Sequence, residues 1–184
     1  MFVEIDRNQL RDNFQPARLV LVVVGDPKNN RFNFLPIAHN MHCSYKPHCM
    51  AVAVDAENYS YGLLQNCDEF VIAVPTESLA ETVLKSGNVS GRHIDKFKEF
   101  GLTPLRDDSS KAAGIKECKA NVFCKKIAFH QVGGDAIVVG QFEKILLDAD
   151  NHEKNLLSFG AGDVGFLSLA HEGKHNIGVV KDAG

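Results

Sequence analysis

Five residues of metal-ligand type crowd into one short stretch: His39, His42, Cys43, His48 and Cys49. Zinc sites use close pairs such as C-x2-C or H-x3-H in a register that converges on the ion. Here His42 and Cys43 are adjacent, as are His48 and Cys49, so on a strand each pair points to opposite faces. No metal ligand set is assigned. Two other places suit an anion. Asn58-Tyr59-Ser60-Tyr61-Gly62 and Ser90-Gly91-Arg92-His93 each place a hydroxyl and free backbone N–H groups at an expected helix start, where the helix dipole favours negative charge. Arg92 and Lys96 add positive charge that could neutralise a phosphate. Ser, Asn and Gly are also ordinary caps, so the pattern alone does not separate the two roles.

Other motifs carry less. Gly160-Ala161-Gly162-Asp163-Val164-Gly165 matches G-x-G-x-x-G, but only nineteen residues follow it, too few for the helix and second strand of a dinucleotide fold. It reads as a glycine-rich loop. The five cysteines include no C-x-x-C, and no nucleophile elbow appears. Cys118 and Cys124, six residues apart on an expected strand, would share a face about 20 Å apart and could not bridge. Free thiols are expected.

The elements that must position these residues are mostly strands. Ala17–Val24, rich in β-branched residues, reads as a buried strand. Gly25–Asn30 is turn chemistry. A strand over 31–38 follows, in which Pro36 argues for an edge, a bulge or an early end, and then a strand over His48–Val54. With no helix between them, these strands argue against a doubly wound parallel sheet. A short helix is expected over Ser60–Gln65 and a strand over Phe70–Val74. Thr76 should cap a helix over Glu77–Lys85. A further helix over His93–Phe100 would bury Ile94, Phe97 and Phe100 and stop at Gly101. Glu117–Ile127 and Ala136–Leu147 form a long hairpin about Gly133-Gly134-Asp135. The fold class is mainly β with inserted helices, one domain over 1–184 with a C-terminal extension from about 149.

Composition bounds the class of function. The 184 residues are 45% hydrophobic, enough for a core, and the formal charge is −3 with a pI near 6.2. General nucleic-acid binding is therefore not expected. The first fourteen residues carry Glu4, Asp6, Arg7, Arg11 and Asp12, and the longest apolar run is Leu19–Val24. Neither a signal peptide nor a membrane span is expected, and the expected compartment is the cytoplasm.

An ordered series of segments resembles the flavin reductase-like, FMN-binding split-barrel family, flavoredoxins included. Gln15-Pro16-Ala17-Arg18-Leu19-Val20 resembles its opening proline and first strand, and Asn33 stands at the start of its flavin-contacting segment. Cys43–Val52 resembles the segment that ends in prolines and a strand, and Asn58-Tyr59-Ser60-Tyr61 resembles R-Y-T-Y. Asn66–Pro75 resembles the next strand. Ser90-Gly91-Arg92-His93-Ile94-Asp95-Lys96-Phe97 is close to S-G-R-x-x-D-K-F, the most specific match. The resemblance implies an antiparallel split β-barrel that forms a homodimer, with FMN near the interface. It places Asn33, His39, Ser60 and Lys96 at flavin-contacting positions, with Ile37, Ala38, His39 and Asn40 along the ring. Tyr61, Ser90 and Gly91 complete the expected site, and Phe166 is a candidate aromatic neighbour from the C-terminal segment. No catalytic side chain is assigned, because the flavin carries the chemistry.

Two departures stand out. The family often has Trp where this chain has His39, and the chain contains no Trp at all. The family's G-D-H at the hairpin is Gly134-Asp135-Ala136, which removes a histidine often near flavin or nicotinamide in reductases. The leading expectation is an FMN-binding oxidoreductase that takes hydride from NADH or NADPH. The alternatives are a flavoredoxin-type electron carrier serving a redox protein partner, and a non-flavin β-barrel or metal-binding module.

Overall fold

A computed structural model describes Glu4, residues 16–158 and the backbone of 166–168. The glycine motif at 160–165 lies outside the described residues. Among the described residues twelve strands run in chain order. They are β1 (Ala17–Arg18), β2 (Val20–Asp26), β3 (Arg31–Ile37), β4 (Asn40–Tyr45), β5 (His48–Asp55) and β6 (Glu69–Val74). β7 (Pro104–Arg106), β8 (Ala113–Ile115), β9 (Ala120–Val132), β10 (Asp135–Leu147), β11 (Leu156–Ser158) and β12 (Phe166–Ser168) follow. The α-helices among the described residues are α1 (Tyr59–Asn66), α2 (Ala80–Gly87) and α3 (Lys96–Glu99).

Seven strands form one antiparallel sheet in the order β3-β2-β6-β9-β10-β5-β4. Laid flat, its two edge strands would stand about 29 Å apart, six steps of about 4.8 Å. Yet β3 and β4 are consecutive in the chain and joined only by Ala38 and His39. The sheet therefore has to curl until its edges meet, which makes an antiparallel split β-barrel. The Ala53 N–H donates to the His39 carbonyl at 2.9 Å and ties β5 to that junction.

Curling separates two apolar layers. Val20, Val22, Val24, Leu35, Met50, Phe70, Ile72 and Val138 fill the barrel, with Leu64 of α1 closing it. Leu21, Val23, Phe34, Val71, Val83, Phe97 and Ile115 form a second layer beneath the helices. β2 is buried on both faces, which is why its sequence is an unbroken aliphatic run rather than an alternation. Pro36 lies on β3, an edge of the sheet, where its missing N–H costs no ladder bond.

Several boundaries differ from expectation. The first strand breaks at Leu19 and continues through Asp26, because the ladder to β3 runs on to the Asp26–Arg31 pair. β7 and β8 are only three residues each, and β4 mixes polar and apolar residues, so pattern alone does not mark them. Only Lys96–Glu99 of the expected His93–Phe100 helix is helical, because Asp95 caps it, accepting from the Phe97 and Lys98 amides. Phe97 is buried there, and Gly101 ends the turn at φ +64°. Thr76 precedes the next helical run without a side-chain capping bond; the Glu153 carboxylate accepts from the Ser78 N–H instead, across 75 positions of chain. Cys118 and Cys124 lie in different layers, Cys118 beneath the helices and Cys124 inside the barrel, because Cys118 precedes β9. All five cysteines are free, and burial pushes the Cys124 thiol up to about 12. Beyond 149 the described chain packs back onto the fold: Asn155 bridges Thr76, and β11 pairs with β1 and β12.

The barrel core leaves one strand position no room. A Cβ on Gly140 would stand 2.6 Å from the Phe70 ring and 2.7 Å from Cys124 Cβ. Gly140→Ala is expected to destabilise by about 1–3 kcal/mol through overpacking, read as a lowered thermal midpoint, and Phe70→Leu in the same chain should return part of the loss. No loss in the single variant would show that the barrel is not packed this way.

Candidate functional site

The chain from Ser90 to Phe97 wraps over β3, and each residue with a polar or apolar task there does something different. The Ser90 hydroxyl accepts from the Arg92 N–H at 3.2 Å and shapes the turn. Gly91 presses on β3: a Cβ there would stand 1.9 Å from Asn33 Oδ1, so no other residue fits without displacing the asparagine. Arg31 donates to the Gly91 carbonyl and holds the turn down. Arg92 turns outward, its guanidinium carbon 5.8 Å from the centre of the Tyr59 ring. Phe97 enters the layer beneath the helices, edge-on to Phe34 at 5.3 Å.

Asn33 and Ser60 meet under Gly91. Both are 2% exposed, and Asn33 Nδ2 donates to Ser60 Oγ at 2.7 Å. Asn33 Oδ1 has no partner. Turned over, the amide would accept from the Ser60 hydroxyl and leave Nδ2 alone, so either way one polar atom of Asn33 is unanswered. Ser60 stands in the first turn of α1, whose cap residue Asn58 makes no side-chain capping bond.

Lys96 lies on the other face of β3. Side chains alternate along a strand, and the Lys96 ammonium stands 5.6 Å from the centre of the Phe34 ring, whereas Ser60 meets Asn33. Lys96 is 4% exposed, and Nζ donates to the Ser86 carbonyl in the last turn of α2 at 2.7 Å, where the helix dipole favours a cation. Lys126 does the same for α1, bonding Leu64 O and Gln65 O at 2.8 Å each. Lys96 makes no ion pair among the described residues, and burial lowers its pKa from 10.5 to about 8. An ordinary helix lysine faces water; this one does not.

The Ile37–Asn40 corner is the third part. Ile37 is buried in the barrel, Ala38 packs against the outer layer and the His39 ring is exposed. Asn40 Nδ2 donates to Arg18 O at 2.8 Å and to Ile37 O and Ala38 O at 3.2 Å each, while its Oδ1 is buried without a partner. The structure thus brings together Asn33, Ser60 and Gly91, keeps Ile37, Ala38, His39 and Asn40 as one corner, and sets Lys96 on the Ala38 side of β3. Tyr61 stands apart from both groups, edge-on to Phe129 at 5.2 Å and bonded to Gln131. Phe166 is described only as backbone, in β12.

A buried acid that nothing in its sequence context marks stands beside this site. Asp26 has no exposed surface. Its Oδ2 accepts from Asn29 Nδ2 at 2.8 Å, the Tyr59 hydroxyl at 2.9 Å and Arg31 Nε at 3.3 Å; Oδ1 has no partner. Burial raises its pKa, but these hydrogen bonds outweigh it and hold the carboxyl below its usual value. Its position in Gly25-Asp26-Pro27 reads as turn chemistry, which hides it. A cavity of about 960 Å³ opens here, lined by Asp26, Tyr59 and Arg92 among others. The His/Cys cluster is divided as the strand pattern requires: His42 and His48 face each other at 3.4 Å, Cys43 is exposed and Cys49 buried. No group of three or more metal-ligating side chains occurs among the described residues, and no helix among them is long and apolar enough to cross a membrane.

Comparison with known proteins places the chain. The family described as flavin reductase like domain matches residues 15–166. An uncharacterized protein of Archaeoglobus fulgidus is 32% identical over 126 residues, 68% of this chain and 70% of its own. Flavoredoxin from Methanosarcina acetivorans superposes with a TM-score of 0.84 at 16% identity, over 96% of this chain and 98% of its own. An FMN-binding protein from Thermus thermophilus, solved with p-hydroxybenzaldehyde, gives 0.78 at 20% identity, over 91% and 97%. The chain belongs to the flavin reductase-like family.

Lys96 should cost the apo protein stability at neutral pH. With its folded pKa near 8 and its unfolded value near 10.5, the unfolded chain binds more protons between those values, so stability rises with pH across that window. Lys96→Met removes this slope. In urea titrations from pH 7 to 10.5, wild type should gain on Lys96→Met by about 3 kcal/mol. Parallel behaviour of the two across that range would mean that the ammonium is not desolvated.

Proposed function

We propose that this member of the flavin reductase-like family is an FMN-binding oxidoreductase whose electron donor is NADH or NADPH. The observation that carries the reading is where the unanswered polar atoms fall. Among the described residues only Asp26, Asn33 and Asn40 bury a side-chain atom without a partner. Two of them are asparagines in the segment that the family resemblance assigns to flavin, Asn33 within β3 and Asn40 at the start of β4. Buried polar atoms are normally paired, and FMN offers ribityl hydroxyls and a ring N–H as donors to both. The residues therefore fit the group. Asn33, Ser60 and the uncapped start of α1 would hold the phosphate end, and Ile37, Ala38, His39 and Asn40 the ring.

FMN held there would supply the redox chemistry, the acceptance of hydride from a nicotinamide. The chain orients and tunes it. Asn33 and Ser60 hold a rigid position because the strand, the helix start and Gly91 all fix them. Lys96, on the Ala38 side of β3, would favour negative charge on a ring held at that corner. The loss of an aromatic wall at His39 leaves that side more open.

A second reading is the flavoredoxin-type electron carrier, exchanging electrons with a redox protein. Ala136 favours it: the position of the reductases' hairpin histidine is a fully buried alanine. Stoichiometric flavin retained through purification, without turnover on NADH or NADPH, would select the carrier; turnover with exchange of flavin would select the reductase. In either case we expect a homodimer. β4, an edge of the sheet, exposes Met41 and Tyr45, at 60% and 74%. Met41→Asp with Tyr45→Asp should lower the mass measured by light scattering to that of one chain, and an unchanged mass would move the interface elsewhere.

The division of the site is testable. Ser60→Ala should weaken FMN by tenfold or more and riboflavin little. Lys96→Gln should weaken both alike and lower the reduction potential of the bound flavin. Equal losses for both ligands in Ser60→Ala would put the phosphate elsewhere.

A further inference from the structure

Histidine and cysteine stand in the sequence as two adjacent pairs, His42-Cys43 and His48-Cys49, which strand alternation should send to opposite faces. The fold sorts them. β4 and β5 run antiparallel with Tyr45 opposite His48 and Ser44 opposite Cys49, but the next pair is His42 with Met50, so Cys43 is an extra residue in β4. An extra residue shifts the alternation by one. His42 and Tyr45, three positions apart, therefore share a face, and the His48 ring joins them there. That face leads into the barrel: Met50, two positions from His48, lies in its core, and Phe142 packs against it. His42 is half-buried and His48 exposed, so the pair stands at the end of the barrel, open to solvent.

The two ring nitrogens are spaced for one ion. His42 Nε2 and His48 Nδ1 stand 3.4 Å apart. That is long for a hydrogen bond from an N–H donor, about 2.7–3.2 Å. Two nitrogens bound to one tetrahedral zinc at about 2.0–2.1 Å must stand about 3.3–3.4 Å apart. A square-planar ion such as copper(II) would need neighbouring nitrogens closer, at about 2.8–3.0 Å. The rings are also held before an ion arrives. Phe142 lies nearly parallel to His48, 6.2 Å away with 14° between the planes, and Tyr45 stands edge-on to His42 at 4.5 Å. Ligands fixed in advance lose less freedom on binding. No third metal-ligating side chain joins them among the described residues, which leaves two of four positions for water.

We propose that His42 and His48 bind a zinc ion as a two-imidazole chelate at the end of the barrel, with water in the other two positions. None of the residues assigned to flavin takes part, so the site stands or falls apart from the flavin reading. Zinc has no redox chemistry of its own, so an ion there takes no electrons from a bound flavin.

Calorimetric titration of the full chain with zinc chloride, after dialysis against a chelator, tests it. One ion per chain is expected, bound at least tenfold more weakly by His48→Ala and by His42→Gln. His130→Ala, which changes an exposed histidine on β9, should bind zinc as wild type does. Carbethoxylation of the wild-type histidines, read by mass spectrometry, needs no variant: zinc should protect His42 and His48 and leave His130 reactive. Absence of saturable uptake up to millimolar zinc, equal affinity in His48→Ala, or protection of other histidines in place of these two would overturn the proposal. Zinc bound by a chain that takes up no FMN would refute the flavin reading while leaving this site standing.

Discussion

The hydrogen bond between Asn33 and Ser60 joins the three parts of this molecule that matter for function. It links an edge strand of the barrel to the first turn of α1, and Gly91 closes over it from the wrapped segment. None of the three could change alone. A larger residue at 91 meets the amide, loss of the amide strands a buried hydroxyl, and loss of the hydroxyl leaves a second Asn33 atom unpaired in a site with almost no access to water. An unsatisfied buried group costs about 1–3 kcal/mol, so the arrangement is held firmly while still leaving one polar atom unanswered. A ligand atom that completes it meets a partner already in place.

That rigidity depends on the closure of the sheet. Because Ala38 and His39 alone connect the two edge strands, β3 cannot drift from β4, and the corner expected to face the ring is fixed by the barrel itself. The outer layer then uses both ends of the wrapped segment. Asp95 caps α3, Lys96 caps the end of α2, and Phe97 fills the apolar layer between. The motif most specific to the family is thus also a packing device: three of its residues fasten helices and core, and the others shape the turn over Asn33.

The sequence was most legible where one physical demand dominates. The aliphatic run of β2 announces a buried strand and Gly133-Gly134 the long hairpin, and both stand in the fold, while of the edge, bulge or early end that Pro36 allows, the fold takes the edge. It was least legible where the partner comes from far along the chain. Glu153 serves the helix start that Thr76 was expected to cap, and nothing local to either residue signals it. Lys96 reads as positive charge for a phosphate, and only the fold shows it fastening the end of α2. Asp26 reads as a turn residue until Tyr59, 33 positions on, closes over it. The site's position was carried by family resemblance, its division into two faces of β3 only by the fold.

On this account β3 is a partition. Its Asn33 face and the start of α1 suit an anion, and its Ala38 face carries a desolvated cation suited to a reduced ring. All of it presupposes that the barrel takes up flavin. The most direct measurement is a titration of the purified, flavin-stripped protein with FMN, followed by the visible absorption bands and the quenching of flavin fluorescence. The account predicts saturation at one FMN per chain, with shifted, structured bands that show a ring removed from water. Free-flavin spectra at every ratio, with no saturation, would contradict it.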